Sequence, residues 1–465
     1  MRHIKRGEKN NSEKIFLSKK GNPVMNYISK QEYEAEIAAT RDERMEWFRN
    51  ARFGMFIHYG LYSGLGTGEW SQANQNYTVA EYETMAKSFA PKEGCAREWC
   101  EMAKNMGAKY AVLTTRHHEG FSLWNSQANP YNSYNACGRD IVREFVDACR
   151  EYGLKIGLYS SLMDWHHPDS WRCKNDPEAR KRFLQYIEDI NTELLTNYGK
   201  IDILWYDVSC PFESWEGWDS VNRNRRLRAL QPQIIINNRS ALDEDFGTPE
   251  GKIFAEERDW ETCKTLTSLA WGYVDAEQSA PFMMSSKEII RNLHLCTCKG
   301  GNFLLNVGPM PDGSIDPYTR ENLTKVGDWL KINGQATYGR KFRTGPVYSA
   351  NTLTAVSAEP DCKTFYLWNW VWPKNGELMF GGYLDAPTKI TYLATGEAID
   401  FEVDGHRIFL KNLPREVPDK ILGVTVLKME FAEKPVQIFR SYYPQMHLGT
   451  DYSGGNHVWK SGEPS

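Results

Sequence analysis

The sequence predicts a parallel α/β fold of the (β/α)-barrel type, TIM-like but irregular, followed by a C-terminal antiparallel β-sandwich. Three observations predict it. Short, continuously apolar runs recur between residues 53 and 309, amphipathic stretches separate them, and polar side chains gather where the apolar runs end.

The runs are FGMFIHYG (53–60), YAVLTTRHH (110–118), KIGLYSS (155–161), IDILWYD (201–207), QIIINNR (233–239) and NFLLNVGP (302–309). Strands buried on both faces are apolar without alternation. The intervening helices are CAREWCEMAKNMGA (95–108), DIVREFVDACREYGL (140–154), PEARKRFLQYIEDINTELLTNYGK (177–200), SKEIIRNLHLCTCKG (286–300) and TRENLTKVGDWLKING (319–334). In the second of these Ile141, Val142, Phe145, Val146 and Cys149 form one stripe. The third opens with Asp176 as N-cap and Pro177 as its first residue. A doubly wound nucleotide-binding sheet would need a glycine-rich turn leading into a helix. HYGLYSGLGTGEW has the glycines and no helical pattern after them. A barrel instead collects functional groups at strand ends, where His58, His117, His118, Tyr159, Asp207 and Arg239 fall. Only six strands are legible, so the barrel is expected to be irregular.

Beyond about residue 345 the segments TLTAVSA, TFYLWNWVW, KITYLAT, HRIFLKNL and PVQIFRS are short, β-rich and spaced by turn residues, as in an antiparallel sandwich. The organisation read from the chain is a polar tail (1–30), a catalytic barrel (31–345), a β-sandwich (346–450) and a C-terminal tail (451–465).

Composition narrows the function. A formal charge of −4 gives no basic footprint for nucleic acid, and no apolar run approaches membrane-spanning length. Ten cysteines without zinc-like spacing read as buried reduced thiols. Sixteen tryptophans suit sugar-stacking platforms as well as a large core. MRHIKRGEKNNSEKIF has charge and no apolar h-region, so it does not read as a secretory signal. Location stays open: cytoplasmic if the chain is complete, exported if a leader was removed. Self-association into a homo-oligomer is equally open.

Two stretches carry the chemistry. TTRHHEGFSLW (114–124) ends an apolar run in paired histidines, although neighbouring strand residues face opposite ways. IDILWYDVSC ends its run in Asp207, walled by Trp205 and Tyr206 at the expected barrel mouth. Together with WFRNARFGMFIHYG, GEWSQ, GLYSSLMDWHHPD, PQIIINNR, DEDFGTPE, WGY and GGNFLLNVGPMPDGSI, in that order over roughly residues 40–340, the chain resembles family 29 of the glycoside hydrolases, the α-L-fucosidases.

The resemblance implies a retaining exo-α-L-fucosidase on a (β/α)-barrel with a following β-sandwich, acting on fucosylated glycans without a cofactor or metal. It makes Asp207 the nucleophile and Glu250, in DFGTPE, the acid/base; Glu261 is the rival, then Glu256 and Glu257. Fucose hydroxyls would be gripped by His58, Glu69, Trp70, His117, His118, Tyr159 and Arg239. Trp205, Trp70 and Phe56 are candidates for the apolar pocket of the sugar's methyl group, and Trp165-His166-His167 for the leaving-group side. Asp207 must stay ionised, which Arg239 and imidazole N–H groups would favour, while Glu250 must start protonated, which burial or the Asp207 charge would favour, then deliver that proton and retrieve one. The chain departs from the family's commoner wording at Arg116, Glu119, Tyr206 and Val208, which stand where Lys, Asp, Phe and Gly are usual.

Two other functions compete. A decayed fucose-binding protein would tolerate loss of the nucleophile, which this chain retains. A metal-dependent barrel hydrolase could draw ligands from His58, His117, His118, His166, His167 and Asp207, although their spacing matches no familiar metal pattern.

Overall fold

Seven parallel strands form the core sheet of the computed structural model, which describes residues 26–339, 341–343, 353–357, 363–436, 438–440 and 456–458. They are β1 (Phe53–Ile57), β2 (Tyr110–Arg116), β3 (Lys155–Ser161), β4 (Ile203–Asp207), β5 (Ile235–Ile236), β6 (Glu261–Thr265) and β7 (Asn302–Val307). Their order is β5-β4-β3-β2-β1-β7-β6. Each apolar run read from the sequence supplies one strand, and its polar tail lies at the strand's C-terminal end. β6 was not legible, because ETCKT carries a carboxylate and an ammonium in place of an apolar run.

The helices between strands begin and end as their capping chemistry dictates. Asp140 caps Ile141–Tyr152, Gly153 ends it in the left-handed region (φ 65°), and the predicted stripe is buried. Asp176 accepts from the Glu178 and Ala179 amides ahead of Pro177–Thr196. Helix Lys30–Ala51, which the sequence reading assigned no element, starts at a capping box of Ser29 and Glu32. Its Met45, Phe48 and Ala51 pack beneath the strand starts, in one apolar cluster with Tyr110, Ile203, Phe246 and Leu304.

The sheet's edges, β5 and β6, are linked by residues 246–250. Asn237 bridges Phe246, Gly247 bridges Trp260, and Glu250 bridges Cys263. A buried ion cluster fixes the approach to this segment. Arg44 Nη1 meets Asp245 Oδ1 at 2.8 Å, and Arg228 Nη2 meets Glu244 Oε2 and Asp245 Oδ2 at 2.7 Å each. Tyr33 and Asn224 also donate to Glu244, whose backbone is left-handed (φ 53°).

The C-terminal strands are antiparallel, as expected. β8 (Phe342–Arg343), β9 (Leu353–Ser357), β10 (Thr364–Asn369), β12 (Lys389–Tyr392) and β15 (Thr425–Glu430) make a five-stranded sheet. β11 (Leu378–Gly381), β13 (Phe401–Asp404) and β14 (Arg407–Leu410) make a three-stranded one. The two share one apolar cluster containing Phe365, Leu367, Phe380, Ile408 and Leu410. A short pair, β16 (Ile438–Arg440) and β17 (Asn456–Val458), lies further along the chain. Nine cysteines are free thiols, seven of them buried, while Cys362 and most of the two predicted tails lie outside the described residues.

Removing one partner of a buried ion cluster leaves uncompensated charge. Arg228→Ala is therefore expected to lower the unfolding free energy by about 3–5 kcal/mol, read as the shift of the urea midpoint at pH 7.

Candidate active site

At the C-terminal ends of the parallel strands lies a cavity of about 100 Å³. Its walls include every binding and catalytic residue read from the sequence except the rivals Glu256, Glu257 and Glu261 and the leaving-group segment Trp165-His166-His167: His58, Glu69, Trp70, His117, His118, Tyr159, Trp205, Asp207, Arg239 and Glu250 all line it. Phe56, Val208, Cys263 and Trp271 complete the wall. Pockets for drug-sized ligands run to ~300–1,000 Å³, so this one suits a single terminal sugar ring. A larger groove of about 720 Å³, lined by Ile332, Tyr392, Leu413 and Ile421 among others, contains none of the expected site residues.

Asp207 ends β4, with its carboxylate held on both oxygens. Oδ1 accepts from Arg239 Nη1 (2.6 Å) and the Val208 amide (2.9 Å), and Oδ2 accepts from the Tyr159 hydroxyl (2.8 Å). Burial works to raise this carboxyl's pKa, but the Arg239 charge and these hydrogen bonds outweigh it and hold the pKa below the ordinary value. The expected imidazole N–H contribution takes a different form. His118 Nε2 stands 3.8 Å from Oδ2, outside hydrogen-bonding range.

The imidazoles instead present acceptors. Asn306 Nδ2 donates to the Trp271 carbonyl (2.6 Å), which turns its Oδ1 toward His58 Nδ1 (2.6 Å). Ser161 Oγ donates to the Met163 carbonyl (2.5 Å), so it accepts from His118 Nδ1 (2.7 Å). With Nδ1 protonated in both rings, each Nε2 is left as an acceptor. Burial depresses the pKa of His58 to about 3 and of His118 to about 4, and that of His117 well below its usual value. His117 Nδ1 is buried with no hydrogen-bond partner among the described residues.

The doublet reaches one cavity because the strand is irregular where it ends. The β2–β3 register shifts between Thr114 and Arg116, which breaks the alternation of faces, and the rings of His117 and His118 lie 3.9 Å apart.

Glu250 comes from the segment that links the sheet edges. Its Oε2 accepts from Arg239 Nη2 at 2.7 Å, so one guanidinium holds Asp207 and Glu250 on its two terminal nitrogens. The Glu250 side chain is 45% exposed, not buried. Glu261 differs in every respect. It is fully buried at the start of β6, accepts from Trp205 Nε1 (3.1 Å) and the Tyr110 hydroxyl, and does not line the cavity. Burial pushes its pKa up to about 7. Glu256 is paired with Arg258 (2.8 Å), also away from the cavity.

Glu69 Oε2 accepts from the Trp271 and Gly272 amides, both at 2.8 Å, and burial raises its pKa. Trp70 is 39% exposed and meets Trp165 edge-on (5.1 Å). Of the expected leaving-group segment, Trp165 packs on Trp70 and His118 without lining the cavity. His166 pairs with Glu83 (2.6 Å), and His167 packs on Tyr186 (4.4 Å).

The sequence reading quoted Trp271 within WGY without giving it a role and missed Asn306, which NFLLNVGP carries at its polar end. Val208, where the family commonly has Gly, adopts φ 45°. A β-branched residue rarely tolerates that conformation, which aims the Val208 amide at Asp207 Oδ1.

A metal reading fits poorly. Among the described residues only His117, His118 and Asp207 of the six candidates have ligand atoms within 4.8 Å of one another. Asp207's oxygens are already engaged, and the adjacent guanidinium opposes a second cation.

Comparison with known proteins accords with this geometry. A family model described as Alpha-L-fucosidase matches residues 23–335. Tissue alpha-L-fucosidase of Mus musculus is 30% identical over 415 residues, which covers 83% of this chain and 90% of the relative. The alpha-L-fucosidase isoenzyme 1 structure from Paenibacillus thiaminolyticus superposes with a TM-score of 0.76 at 31% identity, over 85% of this chain and 100% of that one. A glycoside hydrolase family 29 alpha-L-fucosidase from Bacteroides thetaiotaomicron, trapped as a covalent intermediate with 2-fluoro-fucosyl fluoride, gives 0.74 at 26% identity over 90% and 99%.

The lowered imidazole pKa values set a pH dependence. The unfolded chain takes up these protons just below pH 6.5, and the folded chain does so only near pH 4 and 3. Stability present above pH 6.5 is thus lost as pH falls through that window, by up to about 1.4 kcal/mol per pH unit for each histidine. Urea midpoints measured from pH 7 to 5 should fall, and His118→Asn should flatten the slope.

Proposed function

The chain belongs to the alpha-L-fucosidase family, and from that premise we propose how its residues perform the reaction. The protein is a retaining alpha-L-fucosidase, a glycoside hydrolase that removes terminal α-L-fucosyl residues from fucosylated glycans through a covalent fucosyl-enzyme intermediate. This reading holds over the fucose-binding and metal-hydrolase alternatives.

Asp207 is the nucleophile and Glu250 the acid/base. One observation carries the assignment: Arg239 holds the two carboxylates side by side at the mouth of a cavity lined by neutral imidazoles. In the first step a carboxylate oxygen of Asp207 bonds to the anomeric carbon. The bond to the leaving oxygen breaks, and that oxygen takes the proton of Glu250. In the second step Glu250 takes a proton from water as the water's oxygen displaces Asp207. The Glu250 Oε2 bond to Arg239 leaves Oε1 for the transferred proton. Asp207 arrives ionised because Arg239, Tyr159 and the Val208 amide stabilise its charge.

The sugar's hydroxyls donate to the free Nε2 atoms of His58 and His118 and occupy the unpartnered His117 Nδ1. Glu69 and Trp70 provide further contacts, while Phe56, Trp205 and Trp271 wall the 6-methyl group. Residues 246–250 close the seven strands into an irregular barrel, supported by their bridges to both edges. We place the catalytic unit at residues 31–345 and the β-sandwich at 346–450; the seven parallel strands fall in the first and β9 to β16 in the second, while β8 and β17 fall outside the sandwich bounds. No helix among the described residues is long and apolar enough to cross a membrane.

Asp207→Ala should lower kcat at least about 10³-fold, equivalent to ~4 kcal/mol, without unfolding the protein. Added azide should restore turnover as a β-fucosyl azide, identified by NMR. Glu250→Ala should slow fucosides with poor leaving groups by about 10²–10⁴-fold and activated aryl fucosides far less. Tryptic mapping after 2-fluoro-fucosyl fluoride should place the label on Asp207. A label on another residue refutes the assignment.

A further inference from the structure

Glu261 is a fully buried carboxyl that the reaction does not use. Both its oxygens are committed: Oε1 accepts from Trp205 Nε1 at 3.1 Å, and Oε2 accepts from the Tyr110 hydroxyl. The Tyr110 ring lies where a Cβ on Gly54 would stand, 2.4 Å from its nearest atoms, so only glycine at 54 lets it pass. Above Glu261, the Trp205 indole touches both groups that hold the nucleophile. Tyr159, its cross-strand neighbour, stacks on it at 5.6 Å and 18°, and the Arg239 guanidinium lies 4.8 Å over its face. Tyr159 and Arg239 in turn bond the two oxygens of Asp207.

We propose that Glu261 is a positioning residue for the nucleophile, acting through Trp205: it fixes the rotation of the indole on which Tyr159 and Arg239 rest, and so fixes Asp207 relative to the anomeric carbon. An indole N–H offers one donor and a single direction. A buried acceptor that meets it selects one ring orientation, and the penalty for leaving that donor unpaired enforces the choice. A displacement of about 1 Å at a reacting atom can cost on the order of 10²-fold in rate. The inference rests on Asp207 being the nucleophile, and it gives a different role to the carboxyl that rivals Glu250 as acid/base.

The test compares Glu261→Gln and Glu261→Ala. Glutamine keeps an acceptor for Trp205 and cannot transfer a proton, so kcat/KM should stay within about threefold of wild type. Alanine removes the acceptor, and kcat/KM should fall about 30- to 100-fold. That fall should be equal for aryl fucosides with good and poor leaving groups, while inhibition by L-fucose changes less than about threefold. Trp205→Phe deletes the N–H and keeps a ring. It should reproduce the loss while inhibition by L-fucose changes less than about threefold, which separates the missing N–H from damage to the methyl-group wall and decides the matter if Glu261→Ala does not fold. Glutamine as damaging as alanine, a loss that grows with leaving-group pKa, or Trp205→Phe at wild-type rate would each overturn the proposal. Wild-type enzyme labelled by 2-fluoro-fucosyl fluoride separates the two layers. A label away from Asp207 overturns the underlying nucleophile assignment. A label on Asp207 combined with any of the three adverse results overturns the role of Glu261 alone.

Discussion

The site is organised around the Arg239 guanidinium. Its terminal nitrogens hold Asp207 at 2.6 Å and Glu250 at 2.7 Å, and its Nε bonds Thr248 Oγ1 at 3.0 Å. A planar fork with fixed donor directions sets the spacing of two carboxylates more tightly than a flexible ammonium could. It also resolves an electrostatic conflict. Two neighbouring carboxylates repel each other, and the shared cation offsets that repulsion and helps to hold the Asp207 pKa below its ordinary value. In the proposed intermediate Asp207 is an ester, which leaves Glu250 as the carboxylate that Arg239 still holds.

The two sides of this bridge are built by different means. Asp207 and Tyr159 stand on adjacent β4 and β3, where parallel hydrogen bonding fixes the register Tyr159↔Trp205 and Ser161↔Asp207. Glu250 sits on an extended segment outside any regular strand. Its position depends on isolated bridges to Asn237, Trp260 and Cys263 and on the ion cluster of Arg44, Arg228, Glu244 and Asp245. Such a cluster adds little net stability over a well-packed apolar one, but its directional bonds select a single backbone path. Val208 is left-handed next to Asp207, and Glu244 is left-handed within the ion cluster.

The cavity's polarity follows the same economy. Buried imidazoles stay neutral because charging them would leave a cation in a poorly solvated place. Their Nδ1 atoms are taken by Asn306 and Ser161, which fixes the tautomer. A wall of rigid acceptors beside one cation and two carboxylates can recognise a ring of hydroxyls without neutralising Asp207.

Most of this was legible in the chain itself. Continuous apolar runs with polar ends gave six of the seven strands, and apolar stripes and the Asp176 cap gave helices between them, because periodicity and capping are local properties. Most residues that line the cavity were readable too, since they sit within distinctive motifs, although Trp271 had no role in them and Cys263 lies on the unread β6. β6 was hidden because its inward Glu261 finds partners on β2 and β4, which no local pattern reveals. Helix Lys30–Ala51 was hidden by its charged residues, several of which meet partners some 200 positions away. The sequence by itself determined the strand and helix grammar and which side chains stand at the strand ends. Only the tertiary structure decided that both histidines of the doublet face one cavity, that Arg239 joins Asp207 to Glu250, and that Glu261 lies beneath Trp205. Those outcomes depend on a register shift and on contacts between distant segments, and such contacts exist only once the sheet has curved to bring its strand ends together.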